Sequence, residues 1–510
     1  MERTRRITLL LAVCILAVSS CAWAQDAGMV LGTSVGYNTQ RLSLPLSDEQ
    51  KKQAEQFGQE AQQENRAGHY GEAMRRYHEG TAAMHAVAWT PQVELASALQ
   101  GHLDHAMLEP GKRVTISLTA LYSVDAAASS KDKVSAAVFL VAAARGGRGG
   151  GGADTGDTPS KNLAASAPID ASHLPFTAQV TVPDAAPGDY NLEVRLTLAD
   201  GSWPAGLRAA FVKALPIHIE DLSADAGRLR QRLAKFSKSD APTLATAQFV
   251  LARYEQSDEG KASPAHYNFR GEFATANTIL DALDAGKDPL AGKRGDMRRA
   301  YLSKADQTLQ PYRIFIPTQY DGSKPTPLLV ALHGMGGDEN GMFDGYHEAL
   351  KVEAQRVGFI VACPKGREPT SMYRGTAEQD VMDVIAEVRR DYKVDPSRIY
   401  LMGHSMGGYG TWSTAIDHPE VFAAIGPISG GGNAAGMEKI KNIPEYVVHG
   451  DDDRTVNVNM SRTMVAAGKK LGAPITYVEV PGGSHGGVAE PNFAPMLDFF
   501  AKQVKAQAAP

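Results

Sequence analysis

Three glycine-rich stretches late in the chain carry a serine, a run of aspartates and a histidine, the side chains that nucleophilic acyl transfer needs. The first reads Arg398-Ile399-Tyr400-Leu401-Met402-Gly403-His404-Ser405-Met406-Gly407-Gly408. An apolar, strand-like run enters a serine flanked two residues away by Gly403 and Gly407, and a helix-like run leaves it. This is the sequence form of a sharp strand-to-helix turn that holds a hydroxyl above a sheet, with glycines where a Cβ would crowd the backbone. The bare pattern is permissive. It recurs around Ser34 (residues 32–36) and Ser484 (residues 482–486), but only the copy at Ser405 has a strand before it and a helix after it.

A serine hydroxyl at its free pKa is a weak nucleophile, so Ser405 needs a base, and the base needs an orienting acid. Downstream lie His449-Gly450-Asp451-Asp452-Asp453-Arg454-Thr455-Val456, directly after a strand-like run, and Gly482-Gly483-Ser484-His485-Gly486-Gly487 after the last one. His485 is the expected general base, because its glycine neighbours let it fold over the serine. The rival histidines are worse placed: His404 lies inside the turn and should point away, His449 closes a strand, and His347 and His418 fall on helices. Any of the three aspartates could be the acid, and any could equally be part of a solvated turn. For the oxyanion, Leu332-His333-Gly334-Met335-Gly336-Gly337 follows another strand and offers a backbone donor. The N–H groups of Met335 and Met406 are the expected pair.

These pieces need a sheet whose strand ends converge. From residue 301 onward, strand-like runs (312–316, 328–332, 359–362, 398–402, 423–429, 445–449, 476–480) alternate with helical ones, the pattern of a mostly parallel sheet covered on both faces. The clearest helix places Ala377, Val381, Val384, Ile385 and Val388 on one stripe.

Residues 312 to about 500 resemble the α/β-hydrolase esterases grouped with polyhydroxybutyrate depolymerases, feruloyl esterases and acetylxylan esterases. The resemblance rests on residues 327–337, Asp380 and its helix, Asp395-Pro396-Ser397-Arg398-Ile399, residues 403–412, 449–456 and 483–485. It implies an α/β-hydrolase fold and a triad of Ser405, His485 and an acid. In that family the acid occupies the fifth position of a His-Gly-x-x-Asp-x-x-Val turn. That position is Asp453 here, with Asp451 the runner-up. No metal or organic cofactor is implied. Lidded lipases of this fold commonly insert a cap before the acid-bearing strand; residues 430–444 are too few for one, so an open site is expected. Arg367, Tyr373 and Trp412 could line it or could be structural.

The rest of the chain reads as a multidomain arrangement: a signal peptide (1–24), a helical hairpin region (25–90), an immunoglobulin-like β-sandwich (91–220), a helical connector (221–300) and the hydrolase domain (301–510). Arg3, Arg5 and Arg6 precede an apolar run and an Ala22-Trp23-Ala24 cleavage site, so export to the periplasm or exterior is expected. Cys21 also completes a lipoprotein box, which would supply a lipid anchor. Cys14 and Cys21 lie in this leader, leaving Cys363 unable to form an internal disulfide. Residues 46–88 read as a helix pair with one tetratricopeptide-like turn at residues 68–77, which alone cannot bury its own face. Val114, Ile116 and Leu118 alternate with polar neighbours, as do Leu192, Val194 and Leu196, and turn dipeptides separate such runs. Residues 145–158 are a glycine-rich loop, and Trp203 is a possible contact residue. Residues 222–299 read as helical.

With 43% hydrophobic and 21% charged residues and a net charge of −5 over 510 residues, nothing global points to nucleic acid or an anionic membrane. The expected partner is a small-molecule or polymer-attached ester. The alternatives are a serine peptidase of the prolyl-oligopeptidase type, which usually carries a β-propeller not legible before residue 300, and a non-catalytic binding protein on a relic hydrolase fold.

Overall fold

The computed structural model describes residues 27–124, 134–143, 160–265, 267–287, 289–290 and 293–505; the leader with Cys14 and Cys21 and the loop at 145–158 lie outside them. Three helices open the described chain: Ala27–Ser43, Asp48–Arg66 and Tyr70–Met84. Ser47 caps the second with a reciprocal bond to Gln50, so the start expected from Ser-Asp-Glu-Gln is the start observed. The hairpin reading is corrected by the first helix, which crosses the pair and buries Val30 and Tyr37. Its Gly32 and Gly36 carry low helix propensity, so packing decides here: the Tyr37 ring fills the space that a Cβ on Gly80 would take. Ser34 therefore sits in a helix, accepting a hydrogen bond from Tyr77.

Eight strands follow: β1 (Leu99–Leu103), β2 (Met107–Leu108), β3 (Arg113–Ala120), β4 (Ser135–Ala142), β5 (Ser160–Pro168), β6 (Phe176–Thr181), β7 (Gly188–Thr197) and β8 (Val212–Ile219). They form two sheets, ordered β1-β3-β6 and β2-β8-β7-β4-β5. The alternating apolar positions of both point into one core: Val114, Ile116 and Leu118 from one sheet meet Leu192, Val194 and Leu196 from the other. Trp203 packs against this core, which accounts for it without a ligand.

Helices Ser223–Ala234, Leu244–Asp258 and Phe269–Asp284 come next, but the helical reading of 222–299 fails at its end. Gly295–Leu302 is a strand, β9, paired antiparallel with β10 (Leu309–Ile316). Its Arg298-Arg299 pair hides the apolar alternation that marks a strand. After folding, both arginines sit in ion pairs, the half-buried Arg298 with Glu272 and Glu339 and the buried Arg299 with Asp391.

The remaining strands are β11 (Thr326–Leu332), β12 (Ile360–Pro364), β13 (Val394–His404), β14 (Ala424–Ile428), β15 (Glu445–Gly450) and β16 (Ile475–Val480). The sheet runs β9-β10-β12-β11-β13-β14-β15-β16, antiparallel at β9 and β10 and parallel thereafter. This is the α/β-hydrolase arrangement. Separate apolar clusters cover its two faces, and the predicted helix stripe of Ala377, Val381, Val384, Ile385 and Val388 is buried in full. Cys363 is buried within the sheet, and burial pushes its thiol pKa well up, so it is a core residue. Among the described residues no helix is long and apolar enough to cross a membrane.

Candidate active site

The sheet brings the sequence-selected residues to the ends of β11, β13, β15 and β16, all in its parallel part. Ser405 stands between β13 and helix Met406–Asp417 at φ +59°, a left-handed conformation costly for a residue with a side chain. Close packing on either side holds it there. A Cβ on Gly407 would strike the Leu332 carbonyl, and one on Gly403 would strike the Gly407 carbonyl. The turn thus tolerates glycine alone at both positions.

His485, in the loop after β16, reaches back to the serine: its Nε2 lies 2.9 Å from Ser405 Oγ. Its Nδ1 lies 2.7 Å from Asp453 Oδ2. Of the three aspartates, only Asp453 is in this line. Asp451 accepts the Gly482 N–H at 2.6 Å, and Asp452 faces Arg454 at the surface. Asp453 Oδ1 also accepts the N–H groups of Thr455 and Val456, at 2.9 and 2.8 Å. Burial alone would raise its pKa, but the hydrogen bonds from His449 and His485 outweigh that and hold it well below the usual carboxylate range. A carboxylate on Nδ1 keeps that hydrogen in place, leaving Nε2 as the acceptor for the serine hydroxyl.

Two histidines set aside as rival bases turn out to hold this line. His449, fully buried, places Nε2 3.2 Å from Asp453 Oδ2 and 2.9 Å from the Val456 carbonyl, so it fixes the acid turn. His404 does point away from the hydroxyl, as expected. Tyr346 O–H donates to its Nδ1 and its Nε2–H donates to the His485 carbonyl, each at 2.8 Å. Burial lowers its pKa to about 3, so it stays neutral in this role. The sequence signal for both was adjacency to the glycines of their turns, which says nothing about where a ring points. His347 and His418 pair with Glu490 and Glu378.

The donor loop passes beside the serine: a Cβ on Gly334 would lie 3.4 Å from Ser405 Cβ. Among the described residues, the N–H groups of Met335 and Met406 have no hydrogen-bond acceptor, so both remain free to donate. The three possible lining residues are structural. Tyr373 is buried and accepts the His333 N–H, Arg367 pairs with Asp306 and Asp380, and Trp412 is fully buried.

Trp412 donates its indole N–H to Glu445 at 2.9 Å, tying the helix after Ser405 to β15. Burial raises the Glu445 carboxyl from 4.5 to about 7, against the opposing effect of that hydrogen bond. A raised folded-state pKa gives stability that is complete below the unfolded value and lost as pH rises through the folded one. Between pH 4.5 and about 7, the wild type should therefore lose about 3 kcal/mol relative to Glu445→Gln. Denaturant unfolding of both proteins across that range measures it, and parallel stability curves would refute the assignment.

Parts of the chain are similar to known proteins. Residues 371–444, which span the turn at Ser405, match the prolyl oligopeptidase family. The bifunctional acetylxylan esterase/xylanase XynS20E of Neocallimastix patriciarum is 34% identical over 136 residues, 26% of this chain and 20% of that protein. A probable feruloyl esterase C of Aspergillus oryzae is 29% identical over 187 residues, 35% of this chain and 68% of its own. Over this stretch the chain is similar to proteins named as carboxylic-ester hydrolases. It spans a fifth of the length of the first relative and about two thirds of the second. A solved thermostable esterase, 29% identical, covers 41% of this chain and 63% of its own at a TM-score of 0.38.

Proposed function

We propose that this protein is an exported serine carboxylic-ester hydrolase that works through an acyl-enzyme. The observation that carries the reading is the continuous relay from Ser405 Oγ through His485 to Asp453, with contacts of 2.9 and 2.7 Å. Ser405 attacks the acyl carbon while His485 Nε2 takes its proton, and Asp453 balances the imidazolium. The free N–H groups of Met335 and Met406 hold the oxyanion. Collapse expels the alcohol, which recovers the proton from His485. Water then enters by the same route and releases the acid.

Relatives named for acetylxylan and feruloyl esters support a short-acyl or hydroxycinnamoyl group. Residues 430–444, which hold only the short turns Ala434–Gly436 and Met437–Ile440, favour an uncapped site that admits a polymer-attached ester. The two sheets of residues 99–219 are read as an immunoglobulin-like sandwich that braces the hydrolase domain. The leader supports export, with or without a lipid on Cys21.

The prolyl oligopeptidase match over residues 371–444 favours a second reading, a peptidase. Against it, the described strands before residue 220 form two sheets and not an array of blades. One substrate panel separates the two readings: aryl acetate, butyrate and octanoate, methyl ferulate and an acyl-prolyl anilide. Turnover of the esters with the anilide untouched is expected. Cleavage of the anilide without the esters would overturn the proposal.

A further inference from the structure

A second chemically equipped cavity lies far from Ser405 in sequence, between the N-terminal helices and the two sheets. It is open to solvent on one side and has a volume of about 710 Å³, suited to a small organic molecule. Its walls come from helix Ala27–Ser43, helix Tyr70–Met84, β1 and β8, and are largely apolar, with Met74, Leu99, Leu121 and Leu215 contributing. The space is open beside the first helix: a Cβ on Gly32 or Gly36 would meet nothing within 4 Å.

Lys213, on β8, lines this cavity. Lys213 is half-buried, and among the described residues it has neither an ion-pair nor a hydrogen-bond partner, so its ammonium is partly desolvated with no counterion. Burial drops its pKa to about 7, and no carboxylate opposes that fall. His78 lines the same cavity. Burial, then the charge of Lys213, lowers the pKa of His78 to about 3, so its ring is neutral. Tyr122 lies 3.0 Å from His78 Nδ1. With the Tyr122 O–H donating there, the ring hydrogen sits on Nε2, a second donor without an acceptor.

We propose that this cavity binds a monocarboxylate with an apolar body, its carboxylate held by Lys213 and His78. One cation matches one negative charge, and a bound carboxylate supplies the counterion that the protein lacks. Apolar walls match an alkyl or aryl body and argue against a small multiply charged anion, which needs a ring of donors. The proposal stands apart from the hydrolase reading, since it uses none of the residues around Ser405.

Calorimetric titration of the full chain with octanoate tests it, with 1-octanol as the uncharged counterpart. Lys213→Met should weaken octanoate binding by about tenfold or more, while Lys213→Arg keeps it within about threefold of wild type. Octanol should bind wild type and Lys213→Met alike. Ester hydrolysis by Lys213→Met at the wild-type rate would show that the variant is folded and that the change lies outside the Ser405 site. Equal octanoate affinity in wild type and Lys213→Met, or no saturable binding by wild type, would overturn the proposal. The lysine would then simply reach solvent through the cavity mouth.

Discussion

Replacing Ser405 with alanine is expected to lower kcat on every ester that the wild type hydrolyses by roughly 10⁶-fold, leaving only what the oxyanion donors and binding contribute. The hydroxyl bonds to His485, whereas the turn itself is held by the packing of Gly403 and Gly407 against carbonyls, so the fold should survive the change. Single-turnover assays with an aryl ester measure the loss, and a fluorophosphonate probe should label wild type but not the variant. Activity within tenfold of wild type would sink the mechanism, and so would undiminished labelling.

Asp453→Asn should lower kcat by about 10⁴-fold with little change in KM, while Asp451→Asn should stay within a few-fold of wild type. An asparagine at 453 can still accept the Thr455 and Val456 N–H groups through its carbonyl oxygen. Its amide would then face His485 Nδ1 with hydrogens. The imidazole would have to move its own hydrogen to Nε2, the atom that must accept from Ser405. The nearby His449 Nε2 would meet the same donor-to-donor clash. The Asp451 side chain holds the Gly482 amide and is not in the line to Ser405. A larger loss at 451 than at 453, measured on one ester, would reverse the assignment.

Much of the site was legible because each part is a short stretch at the end of a strand, with glycines marking the turn. The order of Ser405, Asp453 and His485 along the chain mirrors the order of β13, β15 and β16 across the sheet. The choice among Asp451, Asp452 and Asp453 was not legible from composition, since all three are acidic residues in one turn. It depends on which carboxylate is buried against His449 and His485. The roles of His404 and His449 were hidden for the same reason: ring direction is set by tertiary packing. Strand β9 and the helix Ala27–Ser43 escaped because local signals ran against them. Arginines interrupt the one and glycines weaken the other, and distant partners (Glu272, Asp391, Gly80) make up the deficit.

Strand β9 closes one side of the catalytic sheet, and a strand in that position normally offers a row of unpaired backbone groups to any passing chain. Helix Leu244–Asp258 packs against it, and the Thr246 hydroxyl takes the Ala300 N–H at 3.1 Å. The segment read from sequence as a connector is thereby a shield against aggregation. A chain that began at residue 301 would lose most of β9 together with its cover, and β10 would become the sticky margin. Solubility of the part of the chain that carries Ser405 thus depends on a segment that supplies none of Ser405, Asp453 and His485.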